Sequence, residues 1–339
     1  MKSLVSLSLS VAVVGGVFAA SVAPAHAKCS LIECGTNSPI IDSFPFHELN
    51  EAGLPNEIGL RLRDLVSADG THYHPDVIGG RLVGRDLASN AITLEHGALA
   101  GGYLELFSSS GAPYRMSIDH VSLAVPFLVA PQASTAAETY ELNYTGPGIT
   151  QKIPVCSSPP RGVLGNQLYK EAVLFAGERF VASTKRVRAA ASDDTSWFNV
   201  GCYSHVLWKL YFTRHTIPSS ALGFAMSTSR HQAMLKMYVG DVCGNGNAFT
   251  TQGTPLAWDN PPFDWGPAVL GQDVLEGVWG PNGALCIDDY RKGASYWQSV
   301  VVPACGASLL PPSCAATYPS LSPLPSPGYL FTTIPQALP

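Results

Sequence analysis

The sequence predicts an α+β fold: a mainly antiparallel β-sheet system with an inserted, disulfide-linked pair of helices. Three observations lead to this class. From residue 80 onward, short runs rich in Val, Ile, Leu and Tyr alternate with Gly and Ser, as in antiparallel strands joined by turns. Two later segments repeat apolar residues at helical spacing. Eight cysteines, all beyond residue 27, form an even set that can pair in an oxidising compartment.

The first 27 residues predict a secretory leader. Lys2 supplies a positive charge, Leu4–Ala20 is an apolar run, and Ala25-His26-Ala27 is a small-x-small cleavage site. We therefore expect cleavage near this tripeptide and a secreted, periplasmic or cell-surface product. A lipoprotein anchored through Cys29 is the alternative, but Lys28 stands where such an anchor needs a small residue.

Charge and hydropathy argue against two classes of partner. Charged residues are 13% of the sequence and the net charge is −5, whereas a typical soluble protein has about 25% charged residues. A weakly acidic chain lacks the basic surface of a nucleic-acid-binding protein. The best candidate for a membrane span after the leader, Val121–Val129, is short and contains Pro126, so a buried strand is predicted instead. We predict no cofactor, and the partner stays unknown.

Strand-like runs dominate the middle of the chain, between a poorly periodic N-terminal segment at residues 28–76 and a Pro-rich tail at residues 301–339. Gly280-Pro281-Asn282-Gly283 separates two late apolar runs and predicts a hairpin. Because prolines dominate the tail, we expect it to be extended and poorly ordered. The predicted strands are Arg81–Leu87, Ala91–Leu94, Tyr103–Phe107, Met116–Leu128, Thr139–Tyr144, Ile149–Val155, Trp197–Val200, Val274–Trp279 and Ala284–Ile287.

Two helices are predicted between these strands. The first spans Ser204–Phe212, with Ser204 as its N-cap and Pro218 preventing a long continuation. The second spans about Ser229–Val242 and ends close to Gly244. Both carry apolar side chains one and four residues apart, so each is expected to bury one face.

Four sequence blocks resemble one family in the expected order. They are residues 80–84 (GRLVG), 198–202 (FNVGC), 230–246 (RHQAMLKMYVGDVCGNG) and 278–286 (VWGPNGALC). These blocks resemble the ADYC domain, a family of exported bacterial, mostly myxobacterial, proteins named for an Ala-Asp-Tyr-Cys tetrad that closes a helix before Gly-x-Gly. Here the tetrad is Gly240-Asp241-Val242-Cys243, so only Asp and Cys match. The resemblance implies an ADYC-like domain over residues 77–300 and a protein of unknown activity.

Four cysteines flank this domain and four lie inside it. Each flanking pair can close a small loop. If the two helices pack antiparallel, the cysteine before the first meets the cysteine after the second, which leaves the other two domain cysteines for each other. Relatives carry further cysteines where this chain has Leu210 and Met234, so an apolar contact would replace a bridge there. The predicted pairs are Cys29–Cys34, Cys156–Cys286, Cys202–Cys243 and Cys305–Cys314.

His72 and His74 are weak candidates for metal ligands. Two residues apart, they lie on one face of an extended chain, and Asp76 or His96 could add a third ligand. The alternative is a solvated loop with two ordinary histidines. Because two ligands do not define a site, no metal site is predicted.

A basic cluster is the candidate anion site. In the antiparallel helix pair, Arg214 and His215 end the first helix, while Arg230 and His231 begin the second. All four would meet at one mouth and could bind a carboxylate or phosphate. The alternative is a set of surface residues that stabilise helix ends.

No catalytic residue is predicted. The sequence has no Gly-x-Ser-x-Gly elbow, His-Glu-x-x-His motif or phosphate loop, and no free thiol if all cysteines pair. We therefore expect an exported, disulfide-stabilised, non-enzymatic binding or scaffold protein at or outside the cell envelope. A secreted hydrolase with a histidine-based site near His215 and His231 is one alternative. A carbohydrate-binding module is another, if the late aromatic residues are exposed rather than buried: Trp258, Trp265, Trp279, Tyr290, Tyr296 and Trp297.

Overall fold

The computed structural model of the protein describes residues 38–41, 46–124, 137–156, 170–177, 179–188, 196–203, 205–212, 228–254, 256–259, 273–317 and 330–335. The predicted leader lies outside these residues. So do Cys29, Cys34, Arg214, His215 and Trp265.

The described residues form β-strands and short helices. The strands are β1 Glu48–Asn50, β2 Arg61–Val66, β3 His72–Ile78, β4 Arg81–Asp86, β5 Ile92–Glu95, β6 Tyr103–Phe107, β7 Pro113–Ala124, β8 Ala137–Thr145, β9 Ile153–Pro154, β10 Glu171–Ala176, β11 Arg179–Val181, β12 Arg186–Arg188, β13 Trp197–Cys202, β14 Ala257–Asp259, β15 Asp273–Gly280, β16 Gly283–Ile287 and β17 Leu330–Pro335. The helices are α1 Val206–Phe212, α2 Thr228–Val239, α3 Gly293–Tyr296, α4 Val302–Cys305 and α5 Cys314–Thr317. A 3₁₀ turn covers His96–Leu99, and a π-helical turn, Trp297–Val301, joins α3 to α4.

The strands form three sheets, and every pair within them is antiparallel. The large sheet has 11 strands in the order β1-β13-β10-β8-β7-β6-β2-β3-β4-β5, with β9 beside β8. A second sheet contains β11 and β12, and a third has the order β14-β17-β15-β16. The mainly antiparallel architecture predicted from the sequence is confirmed.

The large sheet curls so that β3 and β4 contact β10. The described residues form two large hydrophobic cores, one on each face of this sheet, and a small third cluster of Val278, Cys286 and Cys314. Side chains on alternate positions of β10 and β13 point to opposite faces. Leu174 and Phe198 enter the inner core, which lies within the curl. Val173 and Phe175 enter the outer core, which the sheet shares with α1, α2 and the third sheet. Strands β10 and β13 are therefore covered on both faces.

Helices α1 and α2 pack against each other and close the outer core. Leu210 and Met234, where relatives are expected to carry cysteines, are both fully buried there. Every residue of α2 from Arg230 to Val239 is buried, so this helix has no solvent face over that range. The Gln232 side chain anchors α2 by accepting a hydrogen bond from Val187 N at 2.7 Å and donating one to Lys185 O at 2.9 Å. None of the helices in the described ranges has the length and apolar character needed to cross a bilayer.

Several segments differ from the sequence prediction. The poorly periodic residues 28–76 contain β1, β2 and most of β3, and the region before β13 contains β10 to β12. The predicted Pro-rich tail also contributes to the fold, because β17 pairs with both β14 and β15. Short strands in mid-sheet and helices of four residues carry too little periodicity to be found by pattern alone.

Candidate functional sites

Asp64, His72 and Glu105 come together on the solvent-facing side of the large sheet. They lie on adjacent strands: β2 is central, with β3 and β6 on its two sides. One ligand atom from each side chain lies within 4.8 Å of the other two. The His72 Nδ1 and Asp64 Oδ2 atoms are 2.9 Å apart, within hydrogen-bond distance. The cluster combines an imidazole with two carboxylates, which are donors that divalent metal ions bind.

A β-bulge places Asp64 on this face. The register between β2 and β6 shifts between Leu62 and Asp64, which makes Arg63 the extra residue. Leu62 and Leu65 both enter the inner core and are at most 2% exposed. The two residues between them therefore both face outward, and Asp64 lies opposite its β6 partner Glu105.

The Glu105 carboxylate is only partly satisfied by its surroundings. Its Oε2 atom is enclosed and accepts no hydrogen bond from the described residues. The Arg63 guanidinium lies 3.6 Å from this oxygen and 3.5 Å from Asp64 Oδ2. The Arg63 side chain is 61% exposed, whereas each carboxylate is 17% exposed. Because Arg63 is largely exposed to solvent, its ion pairs with the two carboxylates are weak.

The metal partners proposed for His72 from the sequence lie elsewhere. His74 is exposed and pairs with Arg85 in the β3–β4 ladder. Asp76 accepts a hydrogen bond from Arg85 Nε at 2.6 Å. Asp76 also lies near Glu51, and burial together with the charge of Asp76 raises the pKa of the Glu51 carboxyl to about 8. Asp64 and Glu105, which the sequence reasoning missed, occupy outward positions of amphipathic strands, and only the strand order shows that they meet.

His96 forms a second polar cluster with a buried carboxylate. Its Nδ1 atom binds Glu138, which is 1% exposed and also accepts a hydrogen bond from Tyr140 Oη at 2.7 Å. Burial and the charge of Glu138 raise the pKa of Tyr140 well above its ordinary value. His96 Nε2 lies 3.5 Å from both Arg81 Nη1 and Glu95 Oε2. His96 also has a φ of 55°, an unusual value for a residue other than glycine.

The family-like signature, residues 230–246, is buried from Arg230 to Cys243. Lys236 and Asp241 are both fully buried and form an ion pair. Lys236 Nζ also donates to Thr184 O at 3.0 Å, and Asp241 Oδ2 accepts from Gly246 N at 2.9 Å. Burial lowers the pKa of Lys236, although Asp241 opposes this shift. These contacts join the end of α2, the turn between β11 and β12, and the Gly-x-Gly segment.

Two glycines let the signature and the late hairpin approach closely. Gly244 has a φ of +68°, and a Cβ atom there would lie 1.8 Å from Asn282 O. A Cβ atom on Gly283 would lie 2.7 Å from Gly244 N. The backbones are further joined by a hydrogen bond from Ala284 N to Val242 O at 2.9 Å. The two sequence blocks therefore form one structural unit in which side chains at these positions have no room.

The disulfides differ from the predicted pairs. Cys202 ends β13 on the face that enters the inner core, where it bonds to Cys156. Cys243 lies in the outer core on the other side of the sheet and bonds to Cys305. The predicted pairs Cys202–Cys243, Cys156–Cys286 and Cys305–Cys314 are therefore wrong, because the sheet separates Cys202 from Cys243. The remaining bridge among the described residues is Cys286–Cys314. The helix pair is thus not linked by its own disulfide, and the predicted Cys29–Cys34 pair lies outside the described residues.

The described half of the predicted anion cluster is buried. Arg230 and His231 lie inside α2 and are 7% and 5% exposed. Burial lowers the pKa of Arg230. Because neither side chain faces solvent, the expectation of an open basic mouth is wrong for these two residues. Their predicted partners, Arg214 and His215, lie outside the described residues.

The late aromatic residues divide into buried and partly exposed groups. Trp279 is fully buried and donates from Nε1 to Thr332 Oγ1 at 2.9 Å. Trp297 is also buried, and its ring stacks on Tyr290 at a centroid distance of 4.1 Å. Lys292 lies over the ring of the partly exposed Tyr296. Trp279 and Trp297 are therefore not available as a sugar-binding platform, whereas Tyr290 and Tyr296 are partly exposed.

A family model described as the ADYC domain matches residues 96–293. Neither the curated proteins nor the solved structures contain a significant match to the chain. The matched range includes His96, Glu105, α1, α2 and the signature, and it starts after Asp64 and His72. The chain belongs to the ADYC domain family, whose function is unknown.

Proposed function

We propose that this protein is exported and acts outside the cytoplasm as a disulfide-stabilised, non-enzymatic binding or scaffold protein. The observation that carries the proposal is the buried Lys236–Asp241 pair. Lys236 and Asp241 bind each other and backbone atoms of the β11–β12 turn and the Gly-x-Gly segment, so their role is to stabilise the fold.

The three disulfides among the described residues support an oxidising destination, because such bonds persist outside the reducing cytoplasm. The leader-like first 27 residues agree with this. The outward face of the sheet also suits binding, since it exposes aromatic and charged groups side by side. The Arg115 guanidinium lies 4.7 Å from the Tyr103 ring centre, and Arg63 lies 5.6 Å from that of Phe107.

A secreted hydrolase is the second candidate, and the Glu138–His96 pair favours it. A buried carboxylate that orients an imidazole is also found in acyl-transfer enzymes. However, the described side chains in polar contact with His96 are Arg81, Glu95 and Glu138, and none of these three carries a hydroxyl or thiol nucleophile. The site first suggested near His231 has less support, because this histidine is buried in α2.

Expression of the full-length chain, leader included, in a bacterial host tests the proposal. We expect the product in the periplasm or medium, beginning near Lys28, with its cysteines bonded. We also expect the purified protein to leave chromogenic ester, peptide and glycoside substrates intact. An uncleaved, cytoplasmic product would contradict export. Hydrolysis that is lost in His96→Gln would replace the binding proposal with the hydrolase.

The carbohydrate-binding alternative has its own measurement. A glycan array probed with the folded, oxidised protein would show binding that decreases in Tyr296→Ala if this alternative were correct. We expect no glycan binding, because Trp279 and Trp297 are buried.

A further inference from the structure

We infer that Asp64, His72 and Glu105 form a binding site for one divalent metal ion of the zinc class. Their ligand atoms lie within 4.8 Å of one another. For metal–ligand bonds of about 2.1 Å, a tetrahedral site needs donor atoms about 3.4 Å apart. The His72 Nδ1 and Asp64 Oδ2 atoms are 2.9 Å apart, so this pair already meets the spacing.

The scaffold under the cluster is rigid. Asp64 and Glu105 are direct partners in the β2–β6 ladder, and His72 lies on β3 at the opposite side of β2. Beneath them, Leu62, Leu65 and Leu104 are buried in the inner core. A site on paired strands keeps its ligands in place before the ion arrives, which reduces the entropy lost on binding.

The donor set selects the class of ion. A neutral imidazole nitrogen favours zinc and its transition-metal neighbours, whereas Mg²⁺ and Ca²⁺ prefer shells made of oxygen. Two carboxylates add the negative charge that a divalent cation needs. Because His72 is 45% exposed, at least one coordination position faces solvent and stays open to water or to a ligand.

The local charges show what an ion would replace. Glu105 Oε2 is enclosed without a hydrogen-bond donor among the described residues. Arg63, the bulge residue, supplies the nearby positive charge at 3.6 Å and is itself largely exposed. A divalent ion would satisfy Glu105 directly and release Arg63 to solvent. Arg63 is therefore a competitor of the metal.

Isothermal titration of the mature, oxidised, untagged chain with ZnCl₂ tests the inference. We expect one ion per chain with micromolar affinity, and much weaker binding of MgCl₂ and CaCl₂. Asp64→Asn, His72→Asn and Glu105→Gln should each weaken zinc binding by on the order of 10–100-fold, the range found even for residues that only support a metal ligand. Cobalt(II) should give a visible absorption band that is lost in the same variants.

Two further variants test whether zinc binding is specific to this cluster. His74→Asn removes an exposed imidazole from the same strand but outside the cluster, so zinc affinity should not change. Arg63→Gln removes the competing cation, so zinc should bind more tightly. Circular dichroism confirms that each variant is folded. The inference is overturned if the three ligand variants bind zinc as the parent does, or if His74→Asn weakens binding as much as His72→Asn.

Discussion

The Lys236 ammonium group and the Asp241 carboxylate form an ion pair that is completely enclosed in the protein interior. The two residues lie on either side of the point where α2 ends. Lys236 extends to Thr184 O, and Asp241 accepts a hydrogen bond from Gly246 N. One pair therefore connects the end of α2 and the Gly-x-Gly segment after it to the β11–β12 turn, where Thr184 lies 52 residues before Lys236 in the sequence.

Replacing Lys236 with Met should destabilise the protein strongly. It leaves the Asp241 carboxylate buried without its counter-ion, and breaking a buried pair in this way costs about 3–5 kcal/mol. Urea unfolding followed by circular dichroism gives the change in the free energy of unfolding. Lys170→Met is the control, because Lys170 is an exposed lysine that pairs with Glu141 on the large sheet, away from Asp241. Equal stability of Lys236→Met and the parent would show that the pair is not structural.

Gly244→Ala should cost more than Gly253→Ala. Both glycines have positive φ, and placing a side chain there costs roughly 1–2 kcal/mol. Only at Gly244 would the new Cβ atom also collide with a backbone oxygen, that of Asn282. The melting temperature of Gly253→Ala reports the backbone strain alone, and the additional decrease in Gly244→Ala reports the collision. Equal losses in the two variants would mean that the close backbone approach is absent in solution.

Removing the Cys156–Cys202 bridge should cost about 4 kcal/mol in the chain-entropy model for a loop of this length. The two cysteines are 46 residues apart, and the double variant Cys156→Ala/Cys202→Ala leaves the other bridges in place. Non-reducing peptide mapping of the parent provides the direct check. It should yield Cys156 linked to Cys202 and Cys243 linked to Cys305. A peptide joining Cys202 to Cys243 would refute this arrangement.

Glu51 should make the protein less stable as the pH rises towards 8. Burial and then the charge of Asp76 raise its pKa from 4.5 to about 8. Between these values the folded protein binds a proton that the unfolded chain has lost, so the contribution is complete below pH 4.5 and is lost through pH 8. The free energy of unfolding, measured by urea unfolding at several pH values, should depend less on pH in Glu51→Gln than in the parent. Glu57→Gln, at a more exposed carboxylate, should follow the parent.

His205 should have the opposite effect on the acid side. Burial, and then the charge of Lys209, lower its pKa to about 4. Between pH 4 and 6.5 the unfolded chain binds a proton that the folded protein does not, so stability falls as the pH falls through this window. His205→Gln should flatten this part of the stability profile. An unchanged slope in that variant would indicate that the imidazole is accessible to protons in the folded state.

The sequence predicted the elements that have strong local patterns. Strands such as β6 alternate apolar and polar residues, and the two helices repeat apolar residues, so their positions followed from the chain alone. The Gly-Pro-Asn-Gly hairpin was also found, because turn residues act locally. Strand β17 was missed, since proline-rich composition obscured a segment that pairs only with strands far away in the sequence.

The disulfides and the sites depended on long-range geometry. The predicted Cys202–Cys243 disulfide is wrong because side chains alternate across β13: Cys202 enters the inner core, while Cys243 lies in the outer core. His72 was recognised as a candidate ligand. Asp64 and Glu105 were not recognised, because only a one-residue bulge and the strand order β6-β2-β3 bring their side chains next to His72.

By itself, then, the sequence determined the family, the antiparallel α+β class, the positions of about half of the strands and the expectation of disulfides. Each of these depends on residue types and short spacings. The tertiary structure decided which cysteines bond, that the signature charges are buried, and that Asp64, His72 and Glu105 meet. These facts depend on which face of a strand lies against which core, and a single bulge or strand exchange changes them without altering any local pattern.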